Sequence, residues 1–301
     1  MTTTHRTTPS TSDAFLLGGE LPVRRIGLGT MRLTDGTGDG THAGARIWSA
    51  PADPRSAIDL LRRAVDLGVN LLDTADSYAL GQNEELIAEA LHPYPEDLVI
   101  ATKVGNLRPR AEEWVPLGNP AYLRQQTELS LRRLRRERID LMQLHRLDPD
   151  YPVAEQVGAL AELVAEGKIG HIGLSEVTVA QLEEARRTAP IAAVQNRYNL
   201  VDRDHDPVID AAARTGSAFL PFFPLATGDL ARPGGAVHQV AAELGAAPGQ
   251  IAIAWLLQRS PNVLPIPGTT SRAHLEENLR SDALRLDTGQ ICRIEEAATA
   301  A

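Results

Sequence analysis

The chain has 301 residues, 43% of them hydrophobic but only 4% aromatic, and carries a formal net charge of −9. That length suits one barrel-sized domain with an aliphatic core, and the acidic balance argues against nucleic acid or an anionic membrane as partner. A single cysteine, Cys292, excludes an intramolecular disulfide and a cysteine-based metal cluster and fits a reducing compartment.

Residues 1–13 are polar and rich in Thr and Ser, and read as a disordered lead-in to one domain over 14–301. They lack the charged start and apolar run of a signal peptide, and no stretch approaches a membrane span, so the expected location is the cytoplasm. Phe15–Leu17 and Leu21–Val23 flank Gly18-Gly19-Glu20 in the pattern of a short hairpin. Short apolar runs follow at Ile26–Leu28, Leu71–Asp73, Val99–Thr102, Ile139–Leu144, Ile169–Leu174, Ala192–Gln195, Ala218–Pro221 and Val263–Ile266. Helical patterns separate them at Pro54–Leu67, Glu84–Leu91, Pro120–Leu134, Val153–Glu166, Thr178–Thr188 and Asp206–Arg214, with one long stretch over Ala236–Gln258. Arg272–Leu279 follows the last run, and Thr288–Ala298 is an extra terminal helix.

Eight strand-like runs alternating with helices predict an α/β fold, a TIM-type (β/α)₈ barrel with an N-terminal β-hairpin and an added C-terminal helix. Asp73, Lys103, His145, Ser175 and Gln195 each end or directly follow a run. Barrel active sites lie at the C-terminal ends of strands, so these five share the functional face. Gly27-Leu-Gly29 lacks the third glycine of a dinucleotide-binding turn, and Asp35–Gly44 lacks the Gly-Lys-Ser/Thr of a P-loop and reads as a mobile rim loop. The eight histidines show no paired ligand spacing, so no metal is expected.

A tyrosine is a weak acid, with a reference pKa of about 10. An adjacent ammonium is expected to lower that value and let the phenol protonate a developing alkoxide, with a carboxylate holding the ammonium and an imidazole orienting the carbonyl oxygen. Asp73, Tyr78, Lys103 and His145 supply those four groups. Taken singly, a strand-end Asp caps a turn, a Tyr packs and a His fills a rim. Lys103 is harder to dismiss, because the chain has only two lysines, Lys103 and Lys168, against 28 arginines. Lys168 precedes a strand on the opposite face and reads as structural.

Together Asp73-Thr-Ala-Asp-Ser-Tyr78, Ala101-Thr-Lys103, Gln143-Leu-His145, Gly173-Leu-Ser175, Gln195-Asn-Arg-Tyr198 and Ile266-Pro-Gly-Thr-Thr-Ser271 through Leu275-Glu-Glu-Asn278 resemble the aldo-keto reductase superfamily over nearly the whole chain from about residue 15. The resemblance implies Asp73, Tyr78, Lys103 and His145 as the catalytic four and NADPH as cofactor. It implies that Ser175, Glu176 and Gln195 meet the nicotinamide carboxamide, and that Phe222, with Pro224 and Leu225, covers the ring. It further implies that Gly268, Thr269, Thr270, Ser271 and Arg272 hold the 2′-phosphate while Glu277 and Asn278 face the adenine. Trp48, Trp114 and Phe223 are expected to line the substrate pocket. The segments 221–225 and 255–261 resemble a bacterial subgroup with pyridoxal-reductase-like enzymes.

The sequence departs from the family pattern at Glu176, where Asn is common, and at Gly268 and His274, where many members carry strong cations. Leu80 stands where Gly frequently follows the tyrosine. The expected protein is a carbonyl reductase acting on a small molecule as a monomer or small homo-oligomer. Two other readings remain open: a non-catalytic NADPH-binding regulatory subunit, and a Schiff-base lyase or aldolase using Lys103.

Overall fold

A computed structural model describes residues 14–34, 47–226 and 232–300. The lead-in 1–13 and the whole of the rim loop 35–44 lie outside these described residues, as does Ala301. The hairpin pairs β1 (Ala14–Leu17) with β2 (Leu21–Arg24) antiparallel. The main sheet contains β3 (Leu28–Gly29), β4 (Leu71–Asp73), β5 (Val99–Val104), β8 (Ile139–Leu144), β9 (Ile169–Ser175), β10 (Ile191–Gln195) and β11 (Ala218–Phe219), every pairing parallel. Between β5 and β8, β6 (Asn106–Leu107) and β7 (Val115–Pro116) form a small antiparallel pair too short to produce a sequence period.

The eighth run, 263–266, carries no ladder of its own because Pro265 and Pro267 have no N–H to donate. It still closes the ring. Leu264 N donates to Phe219 O at 2.8 Å on one side, and Gly27 N donates to Pro265 O at 2.9 Å on the other. The result is the expected (β/α)₈ barrel.

Strand alternation divides the apolar residues into two layers. Leu71, Val99, Ala101, Leu141, Ala193, Leu264 and Ile266 fill the barrel interior, and Leu17 and Val23 of the hairpin join that cluster. Leu72, Ile100, Met142, Leu174 and Val194 face outward into the larger cluster beneath the helices. The same period of two carries Asp73, Lys103, Gln143 and Gln195 inward, one layer above the aliphatic plug. Register then makes neighbours of them, with Lys103 opposite Gln143 and Gln195 opposite Ser175.

The helices are α1 (Pro54–Asp66), α2 (Gln82–Leu91), α3 (Pro120–Leu134), α4 (Val153–Ala165), α5 (Val179–Arg186), α6 (Asp206–Ala213), α7 (Ala236–Leu244), α8 (Pro248–Arg259), α9 (Arg272–Arg280) and α10 (Thr288–Ala300). Their starts are legible. Asp53 and Asn119 accept from first-turn amides ahead of Pro54 and Pro120, a proline position that sacrifices no hydrogen bond. The long helical stretch expected over Ala236–Gln258 is two helices bent by 94°. Gly245 ends α7 in the left-handed region at φ 61°, and Pro248 begins α8. Among the described residues no single helix is long and apolar enough to cross a membrane, although that bent pair meets the length and composition together. Lys168, on the far face, pairs with Glu128 and lies 3.0 Å from Glu166, as its structural reading requires.

Candidate active site

At the C-terminal end of the strands the inward polar layer opens into a cavity of about 530 Å³. Asp73, Tyr78, His145, Ser175, Gln195, Trp114 and the segment 222–226 line it, together with Gly29, Met31, Arg32, Ile47, Asn106, Arg146 and Gly268. Lys103 sits just beneath and is 1% exposed. Its ammonium donates to Asp73 Oδ2 at 2.7 Å, to Thr74 O at 2.8 Å and to the Tyr78 hydroxyl at 3.4 Å. The other Asp73 oxygen accepts from Gln195 Nε2 at 2.7 Å and Gln143 Nε2 at 3.1 Å. The carboxylate is therefore compensated on both oxygens, as a buried charge must be.

Burial works against the ammonium, yet the Asp73 carboxylate and the Tyr78 oxygen outweigh it, and the Lys103 pKa is raised. For Tyr78, burial pushes the phenol up, and the opposing pull of the Lys103 ammonium does not cancel that push. The net direction is thus the reverse of what an adjacent ammonium alone predicts: desolvation of the anion wins. His145 is held well below the usual imidazole range by burial first, then by Lys103, Arg146 and Arg108. It is neutral at pH 7. Its ring meets Tyr78 and Trp114 edge-on, each centroid 5.9 Å away, and its Nδ1 lies 3.2 Å from Ser77 Oγ.

A tight turn delivers Tyr78. Ala79 and Leu80 follow it with φ of 49° and 55°, both left-handed, before Gly81 at 94°. Such backbone costs a non-glycine residue about 1–2 kcal/mol, which explains why Gly is favoured where this chain has Leu80. The Ala79 amide is held by Ile47 O at 3.0 Å. Arg108 braces the surroundings. Its guanidinium lies 3.6 Å over the Trp114 ring and donates to the carbonyls of Ile47 at 3.2 Å, Ser77 at 3.4 Å and Glu113 at 3.2 Å.

Residues 25–299 match the aldo/keto reductase family model. The chain belongs to that family. An uncharacterized oxidoreductase of Schizosaccharomyces pombe is 44% identical over 92% of this chain and 88% of its own length. The pyridoxine 4-dehydrogenase of Escherichia coli is 43% identical over 91% of this chain and 94% of its own. Among solved structures, a glycerol dehydrogenase from Gluconobacter oxydans superposes with a TM-score of 0.83 at 25% identity, covering 97% and 96% of the two chains. An aldo-keto reductase from Klebsiella pneumoniae in complex with NADPH gives 0.78 at 26%, covering 94% of each.

Within this aldo/keto reductase the other sequence-predicted residues are distributed unevenly. Ser175, Gln195, Phe222, Pro224, Leu225 and Gly268 line the cavity beside the four. Glu176, at φ 55°, turns instead to the Arg197 backbone amide, 2.6 Å from Oε1, and does not line it. Trp114 and Phe223 line the cavity, whereas Trp48 lies behind Arg108, 5.5 Å from its guanidinium, and does not. Thr269, Thr270, Ser271 and Arg272 lead into α9, with Ser271 Oγ capping the His274 amide at 3.3 Å and Arg272 exposed. Glu277 is half-buried and its carbonyl accepts from Gln250; Asn278 is buried.

Sequence reasoning assigned no role to Gln143, Ser77, Arg108 or Arg146. Gln143 was findable, since it shares Leu141's inward phase. Gly173 makes room for it: a Cβ there would sit 2.7 Å from Gln143 Cγ. For Arg146, which donates to Ser175 Oγ at 3.1 Å, and for Arg108, no local pattern separates them from the many surface arginines.

Proposed function

We propose that this protein is an NADPH-dependent carbonyl reductase of the cytoplasm, converting an aldehyde or ketone to an alcohol, with Tyr78 as the general acid. The observation that carries this reading is the buried chain from Asp73 through the Lys103 ammonium to the Tyr78 hydroxyl, opening beside neutral His145 into one cavity. NADPH would supply the hydride. The residues present fit such a cofactor. Asn278 Nδ2, at the adenine end of the expected site, is buried with no hydrogen-bond partner. Ser175 and Gln195 would bind the carboxamide end, Phe222 with Pro224 and Leu225 the ring face. Gly268, Thr269, Thr270, Ser271 and Arg272 would bind the 2′-phosphate. Bound NADPH in the Klebsiella pneumoniae relative supports that choice.

The chemistry follows from the neutral forms. His145 and the Tyr78 hydroxyl orient the carbonyl oxygen. Because burial keeps Tyr78 protonated, its proton is in place until negative charge develops on that oxygen, a far stronger base than the phenolate. The Lys103 ammonium, fixed by Asp73, then steadies the phenolate that remains. The same contacts weigh against a Schiff-base role, since an ammonium with raised pKa and three oxygen neighbours is a poor nucleophile. An intact four-residue set weighs against a purely regulatory NADPH-binding subunit.

For substrate we favour pyridoxal, by likeness to the Escherichia coli pyridoxine 4-dehydrogenase; small aldehydes and keto groups of sugar or natural-product intermediates are the other members of the class. Trp114 and Phe223 would contact it, with Trp48 supporting from behind. The test is NADPH oxidation against a panel of carbonyl compounds that includes pyridoxal. Turnover with at least one is expected, and NADPH binding without turnover on any would favour the regulatory reading.

A further inference from the structure

His145 is neutral and buried, so its two ring nitrogens have opposite roles, and which one carries the proton decides what it offers a substrate. Nδ1 is engaged by Ser77 Oγ at 3.2 Å, and both residues are closed to solvent, with exposures of 4% for Ser77 and 6% for His145. With Nδ1 committed, Nε2 is the nitrogen left for the cavity that His145 lines.

We propose that Ser77 is a positioning residue that fixes the tautomer of His145, its hydroxyl donating to Nδ1 so that Nε2–H is the donor presented to the substrate's carbonyl oxygen. This rests on the reductase reading of the site. The opposite arrangement would have Nδ1–H donating to Ser77 and would turn an Nε2 lone pair towards the carbonyl oxygen, repelling it.

What decides between them is the competition for the Ser77 proton. The rival acceptor is the neighbouring Asp76 carboxyl, which interacts with the Ser77 amide and hydroxyl. An ionised Asp76 would draw the hydroxyl proton to itself and leave Ser77 Oγ to accept from Nδ1–H. Asp76 is enclosed, however, and its Oδ1 has no hydrogen-bond partner. The nearest cation, Arg133, is already paired with Glu84 at 2.6 Å, while Thr102 holds the other Glu84 oxygen at 2.6 Å. Burial and the Glu84 carboxylate together raise Asp76 well above the usual carboxylate range, against the weaker pull of Arg133. Asp76, held towards its neutral form by burial and by Glu84, is a poorer rival for the Ser77 proton than an ordinary carboxylate. On the imidazole side the facing charges are Lys103, Arg146 and Arg108, all cationic, so none offers an acceptor that would favour Nδ1–H. The Ser77 backbone is tied down in turn, its carbonyl accepting from Arg108 at 3.4 Å.

The deciding measurement is nitrogen NMR of the full-length enzyme labelled with ¹⁵N-histidine, the His145 signals being those lost in His145→Gln. At pH 7 the expected pattern is a protonated, pyrrole-type Nε2 and an unprotonated, pyridine-type Nδ1. In Ser77→Ala the two forms should mix, and kcat for carbonyl reduction should fall roughly tenfold while NADPH affinity stays unchanged. Ser77→Thr, which restores the hydroxyl, should recover both readouts. A protonated Nδ1 in the wild-type protein overturns the proposal, as does an unchanged tautomer in Ser77→Ala. The spectrum needs no substrate, so it identifies the tautomer even if no carbonyl compound is turned over.

Discussion

Replacing Lys103 by Met tests the buried ion pair beneath the cavity while keeping most of the side-chain volume. The wild-type pair is 2.7 Å apart, with side-chain exposures of 1% and 5%, so solvent screens it little. Removing one partner of such a pair typically costs about 3–5 kcal/mol, because the remaining charge stays buried without compensation. Here Gln143 and Gln195 continue to donate to Asp73 Oδ1, so the expected loss lies near the lower end, about 3 kcal/mol. The assay is urea unfolding followed by tryptophan fluorescence. Adding Asp73→Asn to the Lys103→Met chain removes the stranded charge and should recover about 2 kcal/mol of the deficit. If the single variant unfolds within about 0.5 kcal/mol of wild type, or if the double variant is no more stable than the single, the charge is not stranded and the electrostatic account of the site is wrong.

Tyr78→Phe should lower kcat by on the order of 100-fold or more with NADPH affinity unchanged, and stopped-flow hydride transfer with cofactor titration would check it. Arg272→Ala should weaken NADPH roughly ten- to hundredfold and NADH little; equal losses in a fluorescence titration would remove Arg272 from the 2′-phosphate site. Leu80 is 52% exposed and left-handed, so Leu80→Gly should relieve strain and stabilise the fold by about 1 kcal/mol, read as a higher urea midpoint. His145 has a folded pKa below its unfolded value, so below about pH 6.5 the unfolded chain binds the extra proton and stability falls with pH. The slope from this group approaches about 1.4 kcal/mol per pH unit, and His145→Gln should lose visibly less stability than wild type between pH 6.5 and 5.

What the sequence determined by itself is what local periods encode. Apolar runs ending in Asp73, Lys103 and His145 placed those groups at strand ends, because side chains alternate along a strand and the aliphatic members of each run had to face a core. Helical patterns beginning at Pro54 and Pro120 placed two helix starts correctly, because a proline in the first turn sacrifices no hydrogen bond. Tertiary structure decided what depends on closure. Gln143 and Gln195 reach the same Asp73 oxygen from 70 and 122 residues away, a meeting set by register around the ring and by the space that Gly173 leaves. The eighth run was legible as apolar, but that it closes the ring through its carbonyls and Leu264 N, without a ladder, depends on Pro265 and Pro267 lacking N–H groups and on the two strands that flank it. The direction of the Tyr78 shift also lay beyond the sequence. The motif supplies the lysine that lowers it, but the depth of burial that raises it is a sum over the whole surrounding wall. Ser77 belongs to the same class, since its neighbour His145 arrives from another strand and their contact exists only once the barrel has closed.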